Sequence, residues 1–318
     1  MNKILLLGGT GFVGRHVCEK LARLQCRVTV VTRRRDNARH LQMLPLVDVV
    51  EADAHDSSSL APLLAGHDAV VNLIAILHGS QAAFDKAHVQ LPLELARACE
   101  ASGLRRIVHI SALGASPGSP SMYQRSKARG EAVMLSSGLD VTVLRPSVIF
   151  GAEDKFLNTF ARLQQVFPVI PLAAATARFQ PVWVEDLADA IVRCLGDAET
   201  SGQIYEACGP EVFTLRQLVE FAGRYAGVNA GKGRPVLPLP APLGRLQALL
   251  MELAPGEPMM SRDNLDSMAS DNVATGKLPG LQALGVQPAS LEAIGPSYLG
   301  AQGLRSGLLA KRKTAGRF

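Results

Sequence analysis

Gly8-Gly9-Thr10-Gly11-Phe12-Val13-Gly14 follows the apolar run Ile4-Leu5-Leu6-Leu7 and opens a helical pattern that continues from Arg15 to Leu24. A strand that passes through glycines straight into a helix makes a cradle for an anion. Glycine permits positive φ and close backbone approach, and the free N–H groups of the first helical turn point at the bound charge. The stretch reads as Gly-x-Gly-x-x-Gly from Gly9, or as Gly-x-x-Gly-x-x-Gly from Gly8. With a strand before it and a helix after it, this is the setting in which glycines hold the pyrophosphate of a dinucleotide.

Outward from the cradle, short apolar runs at 3–7, 27–31, 47–50, 69–74, 106–110 and 141–144 alternate with helix-period segments. Those segments begin near Phe12, Ser57, Gln81 and Ser121. Strands alternating with helices predict an α/β fold, a Rossmann-type doubly wound parallel sheet covered on both faces. Gly103 and Gly138 stand just before the next strands, as helix stops do. After Phe150-Gly151 the pattern loosens. It predicts a helix over 154–165, a strand over 178–184, a helix over 185–195 and a strand-helix unit over 204–225. A proline-rich stretch at 234–242 and an apolar helix at 243–253 follow. The expected division is a dinucleotide-binding domain at 1–150 and a smaller mixed substrate lobe at 151–302, interleaved with the core sheet and lying over its carboxyl edge. Residues 303–318 form a basic tail.

Composition narrows the class. Of 318 residues, 47% are hydrophobic, enough for a large core. No run approaches the ~20 apolar residues of a membrane span, and Met1-Asn2-Lys3 leads into the first strand without a signal-peptide pattern. Five cysteines, odd in number and without a Cys-x-x-Cys pair, predict reduced thiols in a cytoplasmic protein, with neither a disulfide framework nor a zinc site. The net charge of +5 resides in the tail, where Arg305, Lys311, Arg312, Lys313 and Arg317 meet no acid. The body is therefore neutral, which excludes a nucleic-acid surface. The tail reads either as a solvated end or as a contact for an anionic membrane surface or an acidic partner.

Chemistry-bearing residues fall at strand ends. The second strand leads into Arg33-Arg34-Arg35 with no acid at its end. An acid there binds the ribose hydroxyls of NAD, whereas arginine binds the 2′-phosphate of NADP. NADP(H) is thus favoured over NAD(H), with Arg33 first and Arg34 next as its ligands, against the plain reading of a solvated basic turn. Asp53, followed by Ala54, either accepts from the adenine amino group or opens the turn to the next helix. The backbone of Leu73-Ile74-Ala75 is expected beneath the ribose.

Ser111 ends the fifth strand, and Tyr123 and Lys127 stand four apart on the following helix, hence on one face. In that arrangement the ammonium is expected to lower the tyrosine pKa and hold the nicotinamide ribose. Tyr123 then exchanges a proton at a substrate oxygen that Ser111 polarises. His40, His55, His67 and His78 show no ligand spacing, so no metal is expected, and His16 reads as an ordinary helix residue. Residues 243–253 read either as a helix packed in the lobe or as an amphipathic helix for a membrane or partner.

Gly8–Gly14, Ser111, Tyr123 and Lys127 resemble the short-chain dehydrogenase/reductase superfamily. Leu144–Gly151 and Pro181–Ala188 resemble its extended and atypical branches, the epimerase/dehydratase group. The segment His109–Ala115 and the proline-rich final third are similar to the atypical group that holds the NADPH-binding accessory subunit of respiratory complex I. The resemblance implies a nucleotide across the carboxyl edge of the sheet, Asp53 at the adenine and Phe150 as a wall near nicotinamide. It also places His88 where extended members carry asparagine, either as a core residue or in a proton path behind Lys127. Ser116 is an alternative to Ser111. Two functions follow. One is a reductase or epimerase-type oxidoreductase acting on a carbonyl, sugar or quinone-related substrate. The other is a structural or assembly protein that holds its nucleotide without reacting it, in contact with a respiratory complex or membrane surface.

Overall fold

The computed structural model describes residues 2–253, 256 and 258–299. Contacts divide the chain into two compact units. The first comprises Met1–Pro146, Val184–Ala207 and Ala274–Gln287; the second comprises Ser147–Trp183, Cys208–Val273 and the chain from Pro288 onward.

Seven parallel strands build the first unit: β1 (Lys3–Leu7), β2 (Arg27–Thr32), β3 (Val47–Glu51), β4 (Ala69–Asn72), β5 (Arg106–Ile110), β6 (Asp140–Pro146) and β7 (Ile204–Ala207). Their order is β3-β2-β1-β4-β5-β6-β7. It reverses between β1 and β4, and the crevice outside the carboxyl ends at such a switch point is where ligands of this fold bind. Ile4 to Leu7 are wholly buried, an unbroken apolar run, because both faces of the sheet are covered. Helices α1 (Phe12–Arg23), α2 (Ser57–Leu64), α3 (Gln81–Asp85), α4 (Leu91–Ser102), α5 (Met122–Leu135) and α6 (Val184–Gly196) form the covering layers. Helix α1 packs with α6, and α4 packs with α2 and α5. Gly103, at φ 75°, ends α4 as the sequence predicts.

The six expected strands are present, with small shifts at their ends. Strand β4 stops at Asn72 because the Asn72 side chain accepts the Ile74 N–H at 3.2 Å and takes it from the ladder. The segments at 185–195 and 204–225 separate. Helix α6 and β7 return to the first unit, where Ile204 stands opposite Val143 as the outer strand forms.

Two charged clusters tie helices to this sheet. The Arg106 guanidinium is buried and donates to Asp140 O at 2.9 Å, Thr142 Oγ1 at 2.8 Å and Thr200 Oγ1 at 2.6 Å. It also donates to the Cys194 carbonyl, at the negative end of α6, where a cation is favoured. Across α1 and α6, Glu185 meets His16 Nδ1 at 2.6 Å and Lys20 Nζ at 2.9 Å, and Lys20 also reaches Asp189 at 2.8 Å. The His16 hydrogen bond, and then Lys20, hold the Glu185 carboxyl down to about 2. A carboxylate lowered in the folded state stabilises above its ordinary range and loses that contribution as pH falls toward its folded value. Glu185→Gln is therefore expected to lower stability by about 2 kcal/mol at neutral pH. It should also flatten the loss of stability between the ordinary carboxylate range and about pH 2, measured by denaturant unfolding across pH.

The second unit has its own core, in which Phe150, Leu157, Phe179, Leu215 and Leu218 are buried. The helix expected at 154–165 starts at Leu157, because the Asp154 carboxylate accepts the N–H groups of Gly151, Phe156 and Asn158 and holds a turn before it. The strand expected at 178–184 is two short ones on either side of Pro181. Phe179 pairs with Phe213, and Val182 with Ile149. Proline has no N–H to give a ladder.

Candidate active site

The cradle is built by close packing. Gly8 takes φ 79°, and a Cβ on Gly14 would lie 2.5 Å from Gly9 Cα. A Cβ on Gly9 would lie 2.8 Å from Val30 Cγ1. Gly11 differs, since a Cβ there would meet only Gly8 O, at 3.3 Å; its lack of a side chain leaves room above the helix. As the N-cap of α1 it brings no side-chain acceptor, and the first turn holds no acid. The N–H groups of that turn, from Phe12 and Val13 through Gly14, are thus oriented for an anion with Thr10 beside them, which suits a pyrophosphate.

At the end of β2, Thr32 Oγ1 donates to Arg34 O at 3.1 Å and shapes the turn. The Arg33 and Arg34 side chains are exposed and make no hydrogen bond or ion pair among the described residues. Arg35 is occupied instead, its N–H on Glu51 and its guanidinium on Val49 O at 3.1 Å. Asp53 Oδ1 accepts the His55 N–H at 3.0 Å, so it does open the turn toward α2, with Ala54 buried behind it. The His55 imidazole is held below its ordinary value, first by burial and also by the nearby Lys86 and Arg33 charges. The Leu73–Ile74 backbone comes so close to Gly8 that a Cβ there would sit 3.1 Å from Ile74 N. That contact sets Leu73, Ile74 and Ala75 beside the cradle.

Ser111 lies just past β5, its N–H still on Leu144 O at 2.8 Å, with a buried hydroxyl that has no hydrogen-bond partner among the described residues. Ser116, in contrast, is exposed and braces its own loop by accepting the Gly118 N–H. Ser121 caps α5 by accepting the Gln124 N–H at 3.3 Å, which places Tyr123 and Lys127 on successive turns. Lys127 is 2% exposed and its ammonium donates to Ile110 O at 2.9 Å. Burial pushes Lys127 down to about 8, with Glu131 opposing the fall. The sequence expectation that Lys127 lowers the tyrosine pKa is corrected here: burial pushes the Tyr123 phenol up to about 12, and the ammonium is engaged with the backbone of β5.

What orients these groups was not visible as a motif. A π turn, Lys86–Gln90, interrupts the helix between α3 and α4 and carries His88. Ile76 N–H donates to His88 Nε2 at 3.1 Å, so the proton sits on Nδ1 and goes to Ser126 Oγ at 2.8 Å. The Ser126 hydroxyl in turn donates to the Tyr123 backbone carbonyl at 2.8 Å. Burial and Lys127 hold His88 down to about 3, so it stays neutral and structural. Its ring stands edge-on to Tyr123 at 5.5 Å, and Phe84 closes the group at 6.1 Å from Tyr123. The approach depends on Gly130, where a Cβ would fall 1.7 Å from His88 O. One turn beyond Lys127, buried Glu131 accepts from Arg145 Nε at 2.9 Å, which ties α5 to β6. At the ends of β4 and β5, Asn72 Nδ2 donates to His109 Nδ1 at 3.2 Å, leaving a buried His109 Nε2–H without a partner among the described residues. Glu131 follows Lys127 at helical spacing, and Asn72 and His109 are polar positions in apolar strands. Those signals were available.

Phe150 belongs to the second unit and is 1% exposed, its ring packed in that core. His16, Glu19 and Glu185 bring ligand-type atoms within 4.8 Å of one another. Both carboxylates already hold cations, Arg15 on Glu19 and Lys20 on Glu185, each at 2.9 Å, so the group is an ion-pair lattice.

A seven-stranded parallel sheet with a glycine cradle at its switch point and helices on its faces defines a Rossmann-type α/β fold. The chain belongs to the NAD dependent epimerase/dehydratase family, whose profile matches residues 4–208. It is 33% identical over 297 residues to NADH dehydrogenase (ubiquinone) 1 alpha subcomplex subunit 9, mitochondrial, of Mus musculus, covering 90% of this chain and 77% of that protein. It is 28% identical over 190 residues to the ceramide reductase of Caulobacter vibrioides, covering 59% of each. DesIV, a dTDP-glucose 4,6-dehydratase from Streptomyces venezuelae with NAD and TYD bound, shares the fold. Its TM-score is 0.73 at 22% identity, over 93% of this chain and 95% of that one.

Proposed function

We propose that this protein binds NADP(H) in preference to NAD(H) and is a reductase or epimerase-type oxidoreductase for a carbonyl, sugar or quinone-related substrate. The observation that carries the reading is the buried Ser111 hydroxyl, unpartnered among the described residues, at the carboxyl end of β5, the strand whose Ile110 carbonyl receives Lys127. A buried hydroxyl left unpaired by the protein is costly unless a ligand oxygen meets it. Gly8 through Gly14 would hold the pyrophosphate, Leu73 to Ala75 the ribose, and Asp53 and Ala54 the adenine. A nucleotide so held would supply hydride-transfer chemistry to the substrate carbon. Tyr123 gives or takes the proton at the substrate oxygen, Ser111 donates a hydrogen bond to that oxygen, and Lys127, held on Ile110 O, would orient the ribose. Residues 1–150 then serve the nucleotide and 151–302 the substrate.

A second reading has its own support. The high Tyr123 pKa, about 12, and the engaged Lys127 describe a quiet site. The relative from Mus musculus named for NADH dehydrogenase matches 90% of the chain. In that reading the nucleotide stabilises a protein attached to respiratory complex I, by favouring the native state. NADPH oxidation in the presence of quinone and aldehyde acceptors separates the two readings. Turnover that disappears in Ser111→Ala supports the first, and tight NADPH binding with no turnover supports the second.

The exposed arginines yield a selectivity prediction. Arg33→Ala with Arg34→Ala is expected to weaken NADPH binding by roughly tenfold or more, about 1.4 kcal/mol, through loss of charge-assisted bonds. NADH binding should stay the same, both measured by titration calorimetry.

A further inference from the structure

His109 and Ser111 stand two residues apart, one within β5 and one just past it. The Ser111 N–H still bonds Leu144 O at 2.8 Å, so the alternation of the strand carries both side chains to one face. Asn72 lies opposite His109 on β4 and shares that face. Asn72, His109 and Ser111 are 1, 2 and 3% exposed.

The direction of each hydrogen bond in this group is fixed. The Ile74 N–H can only donate, so the Asn72 atom that receives it at 3.2 Å is the carboxamide oxygen. The carboxamide NH2 therefore faces His109 Nδ1, at 3.2 Å, and that nitrogen must accept. The His109 proton is left on Nε2, the opposite tautomer from His88, whose Nε2 takes the Ile76 N–H. A second proton on His109 would set an N–H against the Asn72 NH2. Burial, and then the Lys127 charge, hold the imidazole down to about 3. At neutral pH His109 is thus a fixed, uncharged donor. Its Nε2–H has no acceptor among the described residues, and the Ser111 hydroxyl on the same face has no partner among them either. A serine oxygen can accept and donate at once, and χ1 rotation between staggered positions redirects it without moving the backbone.

We infer that His109 is a positioning residue, whose Nε2–H donates to Ser111 Oγ and turns the serine proton toward the substrate oxygen. This role rests on the proposed contact of Ser111 with that oxygen. The chain runs from Ile74 N–H through Asn72 and His109 to Ser111, each side chain accepting on one side and donating on the other, and bonds in such a series polarise one another.

Two measurements on the full chain test it. In protein with isotope-labelled histidine, NMR without nucleotide should find His109 in the Nε2–H form, with a proton resonance that is lost in His109→Asn and shifted in Ser111→Ala. NADPH turnover with quinone and aldehyde acceptors is the second readout. Asparagine matches the Nδ1 position of histidine, and glutamine the Nε2 position. His109→Asn is expected to lower kcat roughly tenfold with KM for NADPH unchanged, and His109→Gln should recover most of that loss. A proton on Nδ1, an Nε2 proton indifferent to Ser111→Ala, full turnover in His109→Asn, or equal losses in the two variants overturns the inference. Turnover without the NMR signature refutes the inference alone. The NMR signature without turnover in wild type refutes the oxidoreductase reading, and the positioning role falls with it.

Discussion

Tyr123→Phe is expected to lower NADPH-dependent turnover by about a thousandfold, within the range that positioned acid–base groups contribute, while NADPH affinity stays within about twofold of wild type. The phenylalanine ring keeps the edge contacts with His88 and Phe84, so the helix and its neighbours need not move. The change removes the phenol hydroxyl, the proposed proton donor at the substrate oxygen. The phenol's high pKa of about 12 means that it is protonated at neutral pH, the form needed to donate a proton during carbonyl reduction. In the opposite direction the tyrosine must lose that proton, so oxidation should rise with pH more steeply than reduction does. Steady-state rates in both directions across pH measure this. Equal rates for Tyr123→Phe and wild type would contradict the assignment.

Gly130→Ala should be among the most damaging single-methyl changes in the chain, because the new Cβ would fall 1.7 Å from His88 O. Alanine favours the helix over glycine by ~1 kcal/mol. The forced backbone shift outweighs that gain, and a net loss of about 3 kcal/mol is expected. The same shift breaks the path from Ile76 through His88 and Ser126 to Tyr123, so residual activity should fall more than stability does. Gly196→Ala is the control. It ends α6 with nothing within 4 Å of the new Cβ and should unfold like wild type. Urea midpoints of the three proteins check the order.

The sequence was most informative where one short segment carries the whole geometry. The glycines from Gly8 to Gly14, the arginines after β2 and the four-residue step from Tyr123 to Lys127 each place their groups by local rules of strand, turn and helix. Contacts between distant segments were less legible. The partner of Gly130 is a carbonyl on a π turn, and nothing in the spacing of residues 81–102 announces that turn. The Tyr123 pKa depends on burial by elements that the helix pattern does not contain. The exposed leucines of residues 243–253 look the same in sequence whether they face a core or face outward. Only the small residues Gly244 and Ala248, read as the packed side, reveal the orientation.

The most direct test of the central claim is calorimetric titration of the purified full chain with NADPH and with NADH. One saturable site is expected, with NADPH bound roughly tenfold tighter or more, and that site should be lost when Gly11 is replaced by a residue that fills the space above α1. Failure to bind either nucleotide, or NADH bound as tightly as NADPH, would contradict it.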